Sequence, residues 1–241
     1  MTATDTQALW DDFALPLGDR IADDLRAMAA DHDAASDRSA QVELGPSEIG
    51  DPCTRCLAAR ILGLGEDSYG DPWARIIGTA THAWLDEAAV AWNIRNDNAR
   101  WLPEYRVFPD DVLLPRGGSC DLYDEQTKTV IDHKIVGITS LRKYKSNGPG
   151  LRYRRQAQLY GLGYENKGHQ VDHVAIAFWH RGGKLDDLWV HTEPYDQTMA
   201  EDTLTRYRSL RELVIPLGAP VLEQLPSDPD CFQCSRNATK A

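Results

Sequence analysis

The chain has 241 residues, 42% of them hydrophobic, and a formal net charge of −11 at pH 7. That apolar content suffices for a full buried core, in one large domain or in one domain with appendages. No apolar run approaches the roughly 18 residues that span a bilayer. The first six residues show no basic stretch leading into an apolar one, so the expectation is a cytoplasmic protein without membrane contact.

In chain order, residues 1–44 read as a peripheral helical segment. Leu17, Ile21, Leu25 and Met28 fall on one helical stripe, as in a covering helix. The polar residues that follow suit a linker. Residues 45–215 form the expected core. Near its start, Ser47 is placed to cap a short turn, and a helix is expected from close to Cys53 and Cys56. A helix N-terminus stabilises thiolates as anions, the state that binds metal. After a glycine-rich loop from Gly63 to Gly70, a long helix from about Pro72 to Trp92 sets His82 and Asp86 on one face, four residues apart. Glu104–Phe108 reads as a strand.

The densest chemistry lies in the next stretch, Gly118–Ile135. Two β-branched, apolar-rich runs flank a polar turn at 124–128, the pattern of an antiparallel hairpin. A turn centred between Gln126 and Thr127 puts Asp121 opposite Asp132, where side chains stand roughly 5 Å apart. Lys134 follows Asp132 by two, on the same strand face. Two acids and an amine therefore converge on one spot, where the carboxylates can share a divalent cation.

Charge is distributed unevenly around that hairpin. From His133 through Tyr164 there is no Asp or Glu, and the window carries Lys134, Arg142, Lys143, Lys145, Arg152, Arg154 and Arg155. Seven cations stand there in a chain of net −11, which leaves −18 elsewhere. A basic strip on an acidic body is the footprint of a polyanion partner. A helix is expected from Leu151 to about Tyr164, with Gln156 and Tyr160 near one face. A second hairpin is expected from Asp172–Trp179 and Leu185–His191, and a closing helix from Gln197 to about Val214. Residues 216–241 read as an extended tail, and its Cys231 and Cys234 are expected to dock with Cys53 and Cys56. Two Cys-x-x-Cys pairs in a cytosolic chain point to a bound metal more than to disulfides. The fifth cysteine, Cys120, reads as a small core residue.

Four motifs resemble the RecB-like branch of the PD-(D/E)XK nuclease superfamily: Gly78-x-x-x-His82, Gly118-x-x-Asp121, Asp132-His133-Lys134 and Gln156-x-x-x-Tyr160. They stand in the branch's order. The bracketing cysteines resemble its iron–sulfur members, the exonucleases linked to CRISPR adaptation and their phage and helicase-associated relatives. Ser47, Cys53 and Arg55 match the Ser-x5-Cys-x-Arg setting of those proteins. There, one early cysteine joins three late ones around a 4Fe–4S cluster. Here the division is two and two, with Cys56 in place of a late ligand, and a site of four cysteines also suits zinc.

The resemblance implies an α/β, restriction-endonuclease-like core, with a mixed β-sheet flanked by helices and a cysteine-stapled subregion. It implies an Mg²⁺- or Mn²⁺-dependent DNA exonuclease acting at ends or on single strands, in phage or bacterial DNA processing or recombination. In that role His82, Asp121, Asp132 and the backbone carbonyl of His133 hold the ions, and Lys134 contacts the attacking water or the phosphate. Gln156 and Tyr160 orient Lys134 and the strand; beside them, Asp86, Glu87 and Glu104 are second-tier candidates for ligation or support. Arg142, Lys143, Lys145, Arg152, Arg154 and Arg155 grip the DNA backbone. The alternative is a catalytically silent DNA-binding subunit stapled by a four-cysteine metal site.

Overall fold

The structure is a computed structural model that describes residues 16–35, 44–64, 71–229, 231 and 233–234. Most of the expected loop at 63–70 lies outside the described residues. Backbone contacts divide the chain into two compact units, Met1–Gln41 with Tyr69–Ile76, and Val42–Ser68 with Ile77–Ala241. In the smaller unit, helix α1 (Leu17–Ala34) buries none of its residues. Its stripe of Leu17, Ile21, Leu25 and Met28 is exposed among the described residues. Asp33 near its end forms an ion pair with Arg75.

The larger unit carries the sheet. Helices α2 (Pro46–Ile49), α3 (Thr54–Ile61) and α4 (Trp73–Arg95, in this unit from Ile77 on) precede strands β1 (Trp101–Val107), β2 (Gly118–Asp124) and β3 (Thr129–Val136). Helices α5 (Ile138–Asn147) and α6 (Leu151–Asn166) lead to β4 (His173–His180) and β5 (Trp189–Pro194), and α7 (Gln197–Leu217) closes the fold. The five strands lie in sequence order. β3 and β4 run parallel and the other neighbours antiparallel. This is the expected mixed α/β sheet flanked by helices. A parallel neighbour needs a long crossover, which α5 and α6 supply.

Helix α6 holds the layers together, with every residue from Gln156 to Tyr164 buried. Ala157, Tyr160 and Tyr164 pack on the sheet with Tyr123, Ile176 and Phe178. Leu159 and Leu162 pack on the other side with Ile49, Leu57, Leu204 and Val214 of α2, α3 and α7. Burying such side chains stabilises the fold by about 1.5–3 kcal/mol each. Gly118 belongs to this packing too. A Cβ there would meet Pro46 Cγ and Tyr160 Cε1 at 2.8 Å, so only glycine lets α6 close on β2.

Several boundaries differ from the expectation. The basic residues after β3 lie on a helix that was not expected. Ile138–Asn147 is helical with Leu141 buried, and it ends at Gly148 with φ 75°. Leu185–Asp187 is a 3₁₀ turn, and the strand begins only at Trp189. Helix α7 runs through Pro216, because a proline in the last turn forfeits one hydrogen bond at an end that is already fraying. The tail then forms a 3₁₀ stretch, Ala219–Gln224, where an extended segment was expected. Helix α2 is capped by Glu48, whose carboxylate accepts the Gly45 N–H at 2.9 Å, and not by Ser47.

Candidate active site and cysteine cluster

Asp124 sets the hairpin from which the site is built. Its carboxylate accepts from Arg100 Nε at 2.8 Å and Nη2 at 2.7 Å, and from Gln126 N–H and Thr127 Oγ1 within the turn. The resulting ladder pairs Asp124 with Thr129, Tyr123 with Val130 and Leu122 with Ile131. One step further in this register, Asp121 stands opposite Asp132, and there the ladder stops. Asp121 Oδ2 accepts the backbone N–H of His133 at 2.6 Å, so a carboxylate replaces a strand carbonyl. On the other side, the β1–β2 register places Glu104 opposite Asp121. Glu104 adopts φ 46° within a strand, a left-handed conformation that costs a non-glycine residue about 1 kcal/mol or more. A row of three acids thus crosses three strands.

Asp132 is the most enclosed of them, 1% exposed. Its Oδ1 accepts from Gln156 Nε2 at 3.1 Å, and its Oδ2 forms an ion pair with Lys134 Nζ at 2.5 Å. Burial outweighs the lysine and raises the Asp132 pKa to about 6. Gln156, buried on α6, also lies 3.3 Å from the hydroxyl of Tyr160 one turn on. The glutamine amide thus donates to Asp132, whereas the resemblance implied Lys134 and the DNA strand as the groups it orients. The Lys134 ammonium rests 5.1 Å above the ring of Tyr153.

From α4, His82 Nδ1 donates to Asp121 Oδ1 at 3.1 Å. Burial opposes a charged imidazole, but the Asp121 carboxylate wins and raises the His82 pKa. Asp121 responds in kind. Burial pushes it up, and His82 and Lys134 together pull it below the usual carboxylate range. His133 behaves differently. Burial lowers its pKa to about 4, and Trp179 donates its indole N–H to the neutral ring's Nδ1 at 3.3 Å. Asp86, one turn beyond His82, is raised to about 7 by burial and by the charges of Glu104 and Asp121. Its neighbour Glu87 is exposed.

The basic strip divides in two. Arg142, Lys143 and Lys145 on α5 are exposed. Arg152 and Arg154 on α6 are committed to the protein, Arg152 Nε to the Ser47 carbonyl at 2.9 Å and Arg154 Nε to Glu193 at 2.7 Å. Arg155 is half-buried, and burial lowers its pKa. A groove of 830 Å³ lined by residues including Phe108, Asp110, Lys167 and Arg208 shares nothing with the acid row. The acid row crosses β1, β2 and β3 and lies outside that concavity.

The donor set fits a hard divalent cation, since carboxylates and carbonyls suit Mg²⁺ and an added imidazole suits Mn²⁺. Burial and the neighbouring Asp121 charge raise the Asp132 pKa, and Lys134 works against them. Among the described residues, however, the four cysteines are the set of three or more ligand atoms lying within 4.8 Å of one another. At the acid row, the oxygens of Asp121 and Asp132 face His133, Gln156 and Lys134.

The cysteine cluster forms as the sequence suggested. Cys53 precedes the first turn of α3, and the tail brings Cys234 to 3.6 Å from it. Cys56 lies 3.4 Å from Cys231 and 3.5 Å from Cys234. Arg55 pins the returning chain through the Leu225 carbonyl, and Arg60 reaches Gln233 Oε1 at 3.4 Å. Burial pushes the Cys53 thiol up, but backbone hydrogen bonds from Asp228 and Cys56 and contacts with Cys56 and Cys234 bring it below the ordinary thiol value.

Two neighbours of the acid row escaped the sequence reading. Tyr153 precedes Gln156 by three on α6, so its place beneath Lys134 was legible from helical spacing. Trp179 reaches His133 through the parallel β3–β4 pairing, which no local pattern announces.

No family model and no curated protein matches the chain. Among solved structures, it is similar to an alkaline exonuclease from Laribacter hongkongensis, at 14% identity and a TM-score of 0.46, over 83% of this chain and 94% of that one. The same enzyme in complex with dAMP gives 14% identity and a TM-score of 0.47 over the same shares. A phage-related exonuclease from Haemophilus somnus 129PT gives 14% identity and a TM-score of 0.41, over 66% of this chain and 78% of that one. A likeness this distant says nothing of substrate or chemistry.

Proposed function

We propose that this chain is a divalent-metal-dependent deoxyribonuclease of the PD-(D/E)XK type, an exonuclease acting at DNA ends or on single strands. The observation that carries the reading is the convergence of Asp121, Asp132 and Lys134, with His82 on one side and Gln156 on the other. The choice of DNA and of ends rests on the motif resemblance and on the exposed cations of α5.

A scissile phosphodiester is anionic and repels hydroxide, so its hydrolysis needs positive charge at the phosphate and a nucleophile near neutral pH. Magnesium or manganese held by His82, Asp121, Asp132 and the His133 carbonyl would supply both, by neutralising the phosphate and acidifying water. The protein's own groups then have distinct tasks. The His133 N–H fixes the Asp121 carboxylate, and Gln156 fixes that of Asp132. Lys134, seated on Tyr153, presents an ammonium to the developing charge on the phosphate. Tyr160 keeps its proton, since burial raises its pKa, and it steadies Gln156. Glu104 and Asp86 extend the acid row on the side of His82. Arg142, Lys143 and Lys145 hold the DNA backbone without reading sequence.

The test is Asp132→Ala assayed on linear and single-stranded DNA with Mg²⁺ or Mn²⁺. The expected result is loss of degradation by a protein that keeps its native circular dichroism. Undiminished digestion would defeat the mechanism. DNA binding by the native chain without cleavage in any divalent ion would favour the silent binding subunit instead.

A further inference from the structure

A 4Fe–4S cluster and a single tetrahedral ion place very different demands on four thiolates. In a cubane each thiolate ligates its own iron at a corner of the cube, so the sulfurs stand roughly 6 Å apart. Around one ion at 2.3 Å, the edges of the sulfur tetrahedron are about 3.8 Å. Here the separations are 3.6 Å for Cys53–Cys234, 3.4 Å for Cys56–Cys231 and 3.5 Å for Cys56–Cys234. All four sulfurs lie within 4.8 Å of one another. No cubane fits inside that set, and one ion does.

Resting on the reading that these four thiols hold a metal, we infer that the occupant is one zinc ion and not an iron–sulfur cluster. The surroundings agree. A zinc ion with four thiolate ligands carries two negative charges in total, which outer hydrogen bonds and nearby cations must offset. Backbone N–H groups of Cys56 and Asp228 donate to Cys53 Sγ. Arg206 stands close by, its guanidinium bound to the carbonyls of Asp51 at 2.8 Å and Pro52 at 3.1 Å. Arg60 is bound to Asp51 and to Gln233, the residue before Cys234. With four sulfur ligands the coordination is closed, so the ion has no position for water or substrate. Its task is structural, fixing the returning tail to the head of α3.

The experiment is elemental analysis of the full chain, purified anaerobically without a nickel column, together with acid-labile sulfide and the visible spectrum. About one zinc per chain is expected, in colourless protein without sulfide. Cobalt substitution should give the intense visible bands of a tetrahedral thiolate site, and Cys234→Ser should lose them. Brown protein carrying iron and sulfide overturns the inference while leaving the metal site intact, and so does iron without sulfide. Protein free of metal, with four thiols reacting freely in the native state, overturns the underlying reading as well.

Discussion

Replacing Asp124 by alanine tests whether one side chain sets the register on which the acid row depends. The carboxylate is 3% exposed and receives four hydrogen bonds, two from Arg100 and two from its own turn. Each bond to a charged group contributes about 1.5–3 kcal/mol, but such values do not add within one network. Breaking a fully buried ion pair costs about 3–5 kcal/mol. The Arg100 side chain is 28% exposed and lies 4.2 Å over the Trp101 ring, so it can regain water after the loss. The lower end applies, and a loss of about 3 kcal/mol is expected. The sign of its pH dependence follows from the pKa. Burial pushes Asp124 up, but Arg100 and the turn donors bring it below the usual carboxylate value. A depressed folded pKa stabilises the fold above the unfolded value near 3.9 and ceases to do so as pH falls through the folded one. Urea unfolding should therefore show the full deficit at pH 7 and a shrinking one below pH 4. A deficit under about 0.5 kcal/mol at pH 7 would refute this account of the turn, that being the size of an ordinary surface change.

Three further outcomes follow from the site. Asp132 must lose its proton to hold a cation, so activity should rise with pH through about 6. The midpoint should move to lower pH as magnesium is raised, because metal and proton compete, and a profile indifferent to magnesium would contradict this. Gln156→Leu removes the donor to Asp132 Oδ1 and should move that limb about one to two pH units upward, the equivalent of a bond to a charged group; an unmoved limb would make the glutamine merely structural. Converting Arg142, Lys143 and Lys145 together to alanine should lower the salt dependence of single-strand binding by about two units of log–log slope. Arg154→Ala, already paired with Glu193, should leave that slope nearly unchanged.

The hairpin was legible because a polar turn and period-two alternation leave few registers open, and Asp121 opposite Asp132 follows from the turn centre alone. Helix α5 was less so. Its ten residues bury only Leu141, and so weak an apolar stripe is hidden beneath its charges. The β3–β4 pairing joins residues more than forty positions apart and depends on how α6 packs, so Trp179 had no local signature. The cysteine spacing showed that two pairs can meet. It could not show how closely, and that distance separates one metal chemistry from another.

Cys53 and Cys234 stand 181 positions apart, with the five described strands between them. A shared ion would make that whole stretch a loop without free ends. By the entropy of a covalent cross-link of similar span, closing it restricts the unfolded chain by about 5 kcal/mol. A protease cutting once in an exposed turn, such as Arg181–Gly183, would then leave a single particle whose fragments separate only after chelation.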